Sequence, residues 1–350
     1  MKCCVTKPLA GYVPKLVAKV AATALLFSLG SVVAQERVKM ATIAPGTSAY
    51  LTMTTFSSLV NQNQSDYTIN VDATGAATKH GIELSRGKLD LAMGAPTVYF
   101  FLKNKKAMYA KLDDHAELAE QQRLVMWFPY GQYHFITYAD SGINTIDDLK
   151  GKKVFLGPPG GGAWAAAHSW VKAVAGLDAK EGDYESVKAS WSSAFQGFQD
   201  RQFDVYVNGG IAPFPQVEQL ALSNKIRLLG IDEETYGNAE AAKKYLGALP
   251  GRAVGVINKG VYGENVAMDH DIYTNSATVG IIARKDLSDD KVYAMTKAFW
   301  DAVPEARKST PWLEGITMEY AVQEGGMKLH PGAQRYYEEM GIEIPSGSSM

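Results

Sequence analysis

Gly157-Pro158-Pro159-Gly160-Gly161-Gly162-Ala163-Trp164 is the segment whose residue types point most directly to chemistry. An apolar strand ends at Leu156, glycines free the backbone, and an apolar helix begins near Ala163. A helix start carries unpaired N–H groups and about half a positive charge, so Gly160 to Ala163 could hold a carboxylate without a cationic side chain. The same pattern also describes a tight turn with no ligand, and spacing alone leaves both readings open. The run lacks the Lys-Ser/Thr of a nucleotide phosphate loop and the acidic residue that follows a dinucleotide fingerprint, which excludes a nucleotide site on this evidence of spacing.

Three weaker loops join it. Thr42 to Tyr50, with Gly46, Thr47 and Ser48, follows a strand; Thr74-Gly75-Ala76 opens a helix that carries His80; Asn208-Gly209-Gly210 ends another strand. Each alone reads as a turn. Four strand-end loops on facing elements would supply many neutral donors and few charges, which suits reversible capture rather than bond breaking. Tyr50 and Trp164 are expected as aromatic walls of such a pocket, and Pro96 and Tyr133 complete the expected ligand-binding set.

Catalysis finds little support. The six histidines show neither His-Glu-x-x-His nor another paired spacing, and no Gly-x-Ser-x-Gly elbow occurs, so no catalytic or metal-binding residue is assigned and no cofactor is expected. Asp269-His270-Asp271 and Asp113-Asp114-His115 read as solvated loops. An enzyme acting on a small organic acid through Asp90, His80 or His134 is the rival from another class.

The elements that must position these loops alternate. Arg37–Ile43, Thr68–Val71 and Leu89–Met93 read as strands separated by helices, and the pattern restarts near Phe135 with strands at 154–156, 203–207 and 226–229. A further strand at 278–283 precedes a helix from Asp289 to Val303. Such alternation predicts a mainly parallel α/β sheet, here in two lobes with the chain crossing between them. Ligands of open α/β sheets sit beyond the carboxyl ends of strands, where every glycine loop above falls.

The chain has 350 residues, 35 basic and 37 acidic, and no extended Lys/Arg block, so nucleic acid is not an expected partner. Lys2, Lys7, Lys15 and Lys19 precede an apolar run from Val20 to Leu29, and Val32-Val33-Ala34 offers small residues for cleavage. Residues 1–34 therefore read as a cleaved secretory signal, too short in its apolar part to span a bilayer. Both cysteines, Cys3 and Cys4, leave with it, which excludes disulfides and thiolate chemistry in a mature chain of net charge −6. The expected location is the periplasm, in soluble form.

The mature chain resembles the TAXI solute receptors of TRAP transporters. The likeness rests on Thr42 to Tyr50, Ala73-Thr74-Gly75, Arg86-Gly87-Lys88-Leu89-Asp90-Leu91-Ala92, Asp148-Leu149-Lys150-Gly151-Lys152-Lys153-Val154, Gly157-Pro158-Pro159-Gly160, Thr278-Val279-Gly280 and His330-Pro331-Gly332-Ala333-Gln334-Arg335-Tyr336-Tyr337. It implies a type II periplasmic-binding-protein fold, with 35–134 plus 253–350 as lobe I, 135–252 as lobe II, and a hinged cleft between them. It also implies no catalysis, a small organic anion as ligand, and fused TRAP membrane subunits as partners. A receptor for an ATP-driven importer or a sensor kinase would use the same lobes. The sequence departs from the family at Gly161, Gly162, Ala163, Ala77 and His80, which removes hydroxyls and implies a more aromatic pocket.

Overall fold

The computed structural model describes residues 36–350, so the expected signal segment lies outside the described residues. The first half of the chain runs β1 (Glu36–Ala41), α1 (Ser48–Asn63), β2 (Tyr67–Asp72), α2 (Ala77–Ser85), β3 (Leu91–Gly94), α3 (Pro96–Lys103), α4 (His115–Glu120) and the long β4 (Gln122–Tyr138). The middle runs β5 (Lys153–Phe155), α5 (Gly162–Ala175), β6 (Glu185–Ser186), α6 (Trp191–Gln199), β7 (Val205–Gly210), α7 (Pro215–Ala221) and β8 (Ile226–Leu229). It continues with α8 (Glu233–Asn238), α9 (Glu240–Gly247), β9 (Arg252–Ile257), β10 (Val266–Ala267) and the long β11 (Ile272–Arg284). Helices α10 (Asp289–Arg307), α11 (Met318–Ala321) and α12 (Pro331–Glu339) close the chain.

Local chemistry explains the early elements. In β1, Val38 and Met40 are buried while Arg37 and Lys39 are exposed, the period of two that a half-covered strand requires. Helix α1 buries Ala49, Met53, Phe56 and Val60, at helical spacing, and Phe56 meets Phe299 of α10 with ring centres 5.1 Å apart. Thr47 caps α1 by accepting from the Tyr50 amide at 3.2 Å.

Among the described residues the strands form one mixed sheet of eleven, with the path β2-β1-β3-β11-β4-β7-β5-β6. β1 pairs in parallel with β2 and β3, and β5 with β6 and β7, as the alternation of strands and helices predicts. The centre departs from the mainly parallel expectation because β4 and β11 run antiparallel to their neighbours. Phe135 does not begin a unit; it lies near the end of a 17-residue strand.

Those two strands change partners along their length. β4 pairs with β11 over Gln122–Pro129, then with β7 from Gln132 and β8 from Phe135. β11 pairs with β9 over Ile272–Ala277, then with β4 from Thr278, opposite Pro129. Gly131 lies at the first switch with φ +93°, and a Cβ there would come within 2.1 Å of the Gly210 carbonyl carbon, so only glycine fits.

A core cluster in the second half gathers Ile136, Phe155, Tyr206 and Leu228 with Ile257, Val266, Met268 and Ile272. Ile257, Val266, Met268 and Ile272, in a segment that the sequence reading places in lobe I, thus pack against residues between Ile136 and Leu228. That segment's affiliation follows from β9 and β10, short strands that pair with β11 and β8 and give no sequence signal of where they dock.

Candidate functional site

Three strand-to-helix turns meet at one cavity of about 340 Å³. After β2 come Gly75, Ala76, Ala77 and Thr78; after β3 come Ala95, Thr97 and Val98; after β5 come Pro158, Pro159, Gly161, Gly162 and Ala163. The cap residues Ala76, Ala95 and Gly161 have no side-chain oxygen to accept from the first-turn amides of α2, α3 and α5. Three helix ends thus present their positive poles toward the same space. Gly157, at φ +119°, brings the chain under α5; a Cβ there would lie 2.9 Å from the Trp164 nitrogen.

Among the described residues, one charged side chain lines the cavity, next to the start of α3. Arg252, the first residue of β9, lines the cavity half-buried, and no carboxylate pairs with it among the described residues. Its Nη1 donates to the Tyr245 carbonyl oxygen at 3.0 Å, and its guanidinium carbon lies 4.1 Å from the centre of the Tyr245 ring. Burial pulls the Arg252 pKa below its ordinary value, although an arginine remains cationic at any physiological pH. Among the described residues no aspartate or glutamate lines the cavity.

Tyr133 of β4 faces this arginine electrostatically. Burial holds its hydroxyl well above the ordinary tyrosine value, with the nearby Tyr130 and Tyr245 hydroxyls adding to the rise and the Arg252 charge opposing it. The group is therefore a neutral donor, and it has no hydrogen-bond partner among the described residues. Phe101, Tyr130, Trp191 and Tyr245 add four more rings to the lining.

Of the expected ligand-binding residues, Gly75, Ala76, Tyr133, Gly161, Gly162 and Ala163 are brought together at the cavity. The others are placed elsewhere, each with a local task. Gly160, at φ +73°, is an exposed turn residue between the lining residues Pro159 and Gly161. Pro96 is the first residue of α3, packed where a Cβ on Gly251 would come within 2.9 Å of it. Thr42 is buried at the end of β1, Ser48 Oγ donates to the Tyr130 carbonyl oxygen at 2.6 Å, and Tyr50 sits on α1 outside the lining.

Thr74 folds its own turn by donating to Asp72 Oδ1 at 2.7 Å. His80 is not an anion donor: its Nε2 donates to the Thr74 carbonyl oxygen at 2.7 Å, and burial lowers its pKa so that it stays neutral. Trp164 points away from the cavity. Its Nε1 donates to Ser186 Oγ at 2.8 Å and its ring stacks on His168 at 4.7 Å. Gly162, Ala165, Ala166 and Ser169 line the cavity, and Trp164 lies two residues, about 200°, round the helix from Gly162.

Asn208, Gly209 and Gly210 build a buried joint rather than a ligand loop. Asn208 Nδ2 donates to the Gly46 carbonyl oxygen at 2.9 Å and to Gln216 Oε1 at 2.7 Å, while its Oδ1 accepts from the Tyr130 hydroxyl at 3.2 Å. A Cβ on Gly209 would strike the Tyr130 ring, and one on Gly210 the Phe214 ring. Sequence reasoning missed Arg252, Tyr245, Thr97 and Phe101; the only signal for Arg252 was a single basic residue opening an otherwise apolar strand, Arg252–Ile257.

Asp90 and His134 are also committed to structure. Asp90 accepts from the Lys39 amide at 2.9 Å and lies 3.5 Å from Arg284 Nη1, and His134 is fully buried. Among the described residues no group of three His, Cys, Asp or Glu side chains could hold a metal ion, and no helix is long and apolar enough to cross a membrane.

Two α/β halves sharing two long strands, with a cavity where strand ends and helix starts converge, define a ligand-binding protein of the periplasmic-binding fold. The chain belongs to the NMT1-like family, whose model matches residues 40–341. Members of that family are substrate-binding proteins, not enzymes. Similar solved structures include the alkanesulfonate-binding protein SsuA from Xanthomonas axonopodis pv. citri bound to MOPS, at 16% identity, 86% of this chain, 83% of that chain and TM-score 0.47. A TRAP periplasmic solute-binding protein from Ralstonia eutropha H16 with bound (S)-2-acetolactate matches at 12% identity, 88% and 86% coverage and TM-score 0.45. Another from Sulfitobacter sp. NAS-14.1, with bound β-D-galacturonate, matches at 11% identity, 88% of each chain and TM-score 0.45.

Proposed function

We propose that this protein is an exported periplasmic receptor that captures a small organic anion between two α/β lobes and delivers it to a TRAP-type membrane permease. The observation that carries the anion is Arg252: a half-buried guanidinium at a cavity with no acidic side chain in its lining. A half-buried cation without a carboxylate partner carries a desolvation cost, and an anionic guest offsets it. The amides at the starts of α2, α3 and α5 and the Tyr133 hydroxyl supply neutral donors around it.

The lobes are residues 35–130 with 278–350, and 131–277, meeting where β4 and β11 exchange partners at Pro129–Gln132 and Ala277–Thr278. Ligand contacts from both sides favour the closed arrangement through their extra affinity for it. The TRAP assignment rests on the TAXI-like motifs at Ala73-Thr74-Gly75, Gly157-Pro158-Pro159-Gly160 and His330 to Tyr337. Residues 1–34 are the cleavable export signal.

Isothermal titration of the purified protein with small carboxylates and sulfonates tests the receptor reading. Binding of an anion to the protein and its loss in Arg252→Gln is the expected result; a neutral or cationic ligand bound equally by both proteins overturns it. Reconstitution with the membrane subunits tests delivery, with uptake expected to follow an ion gradient and to be indifferent to ATP.

A further inference from the structure

Resting on the anion-receptor reading, we infer that the ligand is an aromatic or arylalkyl monocarboxylate that carries no ammonium group and few hydroxyls. Five rings, those of Phe101, Tyr130, Tyr133, Trp191 and Tyr245, line the cavity, with the aliphatic side chains of Ile43, Met93, Val98, Met108 and Val279. Such a wall receives a flat apolar body by ring stacking and exclusion of water.

The hydroxyls of the lining argue in the same direction, because five of the eight are already engaged. Thr97 Oγ1 donates to the Pro250 carbonyl oxygen at 2.6 Å, the Tyr130 hydroxyl to Asn208, and the Tyr245 hydroxyl to the Ala166 carbonyl oxygen at 3.1 Å. Ser276 Oγ donates to the Gly131 carbonyl oxygen at 3.1 Å, and Thr278 Oγ1 lies 2.7 Å from the Tyr320 hydroxyl. A polyhydroxylated guest would bury more polar groups than the three remaining hydroxyls, of Thr78, Tyr133 and Ser169, could meet. The free side-chain donors of the lining are the Arg252 guanidinium, the hydroxyl of Tyr133, which is 3% exposed and has no partner among the described residues, the hydroxyls of Thr78 and Ser169, and the Trp191 indole N–H; only one of them is cationic, which fits a single carboxylate.

An amino acid fits less well. Its ammonium would enter a cavity with no carboxylate in its lining, beside a guanidinium already in place. A dicarboxylate brings a second negative charge for one cationic side chain. The cavity therefore selects one negative charge on an apolar body.

Calorimetric titration of the full-length protein with phenylacetate, phenylalanine, 2-phenylethanol, glutamate and succinate separates these features. Phenylacetate is expected to bind tightest, with phenylalanine at least about 100-fold weaker for its unpaired ammonium and 2-phenylethanol similarly weak for its missing charge. Tighter binding of succinate or glutamate than of phenylacetate overturns the aromatic assignment and leaves the anion receptor standing. Equal affinity for phenylacetate and phenylalanine overturns the exclusion of ammonium groups. Binding of none of the four acids, or of 2-phenylethanol as tightly as phenylacetate, overturns both this inference and the reading on which it rests. In a second arm Tyr133→Phe is expected to weaken phenylacetate several-fold while leaving the melting temperature of the unliganded protein in place; unchanged affinity removes Tyr133 from the carboxylate site.

Discussion

Arg252 and Tyr245 hold each other in place: the arginine Nη1 donates to the tyrosine carbonyl oxygen at 3.0 Å while the guanidinium carbon stands 4.1 Å from the centre of the tyrosine ring. One edge of the guanidinium is thereby occupied by the protein, and the remaining N–H groups are left for a guest. A planar fork fixed this way meets a carboxylate in a defined direction, which a lysine ammonium cannot reproduce. Arg252→Gln is expected to lower affinity for the anionic ligand by about 10- to 100-fold, and Arg252→Lys to recover only part of it. Titration calorimetry on both variants checks this, with far-ultraviolet circular dichroism confirming that the fold is kept.

The uncapped start of α2 gives a prediction with opposite signs for stability and binding. Ala76 has the extended backbone of a cap residue, φ −137° and ψ 144°, but no oxygen to offer the first-turn amides. Ala76→Asp supplies that oxygen and a charge favourable to the helix end, and is expected to stabilise the unliganded protein by about 0.5–1 kcal/mol. The same carboxylate stands where an anion would dock, so ligand affinity is expected to fall about tenfold. Denaturant melts and titrations on one variant read both effects.

Trp164 separates packing from ligand contact. Its indole donates to Ser186 and stacks on His168, and the ring faces away from Gly162, Ala165 and Ser169. Trp164→Ala is expected to cost about 2 kcal/mol of stability, reduced from a full core deletion because the ring is only half-buried. Ligand affinity measured well below the new melting temperature is expected to stay within about threefold of the parent, since the lining itself is untouched.

Trp164 also shows where sequence reasoning stops. Strand, glycine run and apolar helix were all legible at 154–175, because turn chemistry and hydrophobic spacing are local. The phase of the helix was not, since which face meets the cavity depends on β6 and on the loop carrying Lys180, distant in the chain. Likewise Asn208-Gly209-Gly210 announced a tight backbone, but the reason is room for the Tyr130 and Phe214 rings. The start of β4 left no alternation to read, because a strand covered on both faces buries nearly every residue from Gln122 to Tyr138. Arg252 is one basic residue in a strand, and its meaning comes entirely from what surrounds it in space.

Contacts between the two proposed lobes predict an effect on closure. Thr97 of α3 donates to the Pro250 carbonyl oxygen at 2.6 Å, and Asn208 of β7 to the Gly46 carbonyl oxygen at 2.9 Å, so each joins elements from the two proposed lobes. Thr97→Val keeps the shape and removes the first of these bonds. Removing it should favour the open arrangement by about 1 kcal/mol, weakening ligand binding several-fold, chiefly through faster dissociation. Stopped-flow dissociation rates, with the radius of gyration from small-angle scattering of the liganded variant, report the shift.

His134 makes the fold sensitive to acid through a chain of three bonds. Its Nδ1 donates to the Gln132 carbonyl oxygen at 2.9 Å, its Nε2 accepts from the Tyr262 hydroxyl at 2.6 Å, and that hydroxyl accepts from the Phe214 amide at 2.8 Å. In this arrangement the imidazole is neutral, and protonating Nε2 would force the Tyr262 hydroxyl to turn its hydrogen away from the ring. Burial pushes the His134 pKa down from 6.5 to about 4, only partly opposed by its backbone hydrogen bonds. Because the folded value is depressed, the unfolded chain takes up the proton first. Stability is therefore full above about pH 6.5 and falls as the pH drops toward 4, by about 3 kcal/mol in total from this residue. His80 and His330, whose pKa values burial also lowers, act in the same direction. Urea unfolding at pH 7.5 and pH 5 is expected to show the loss, and His134→Gln, which retains a donor and an acceptor but cannot titrate, is expected to flatten the slope across that window. An unchanged slope in that variant would assign the acid sensitivity to the other two histidines and leave His134 as packing alone.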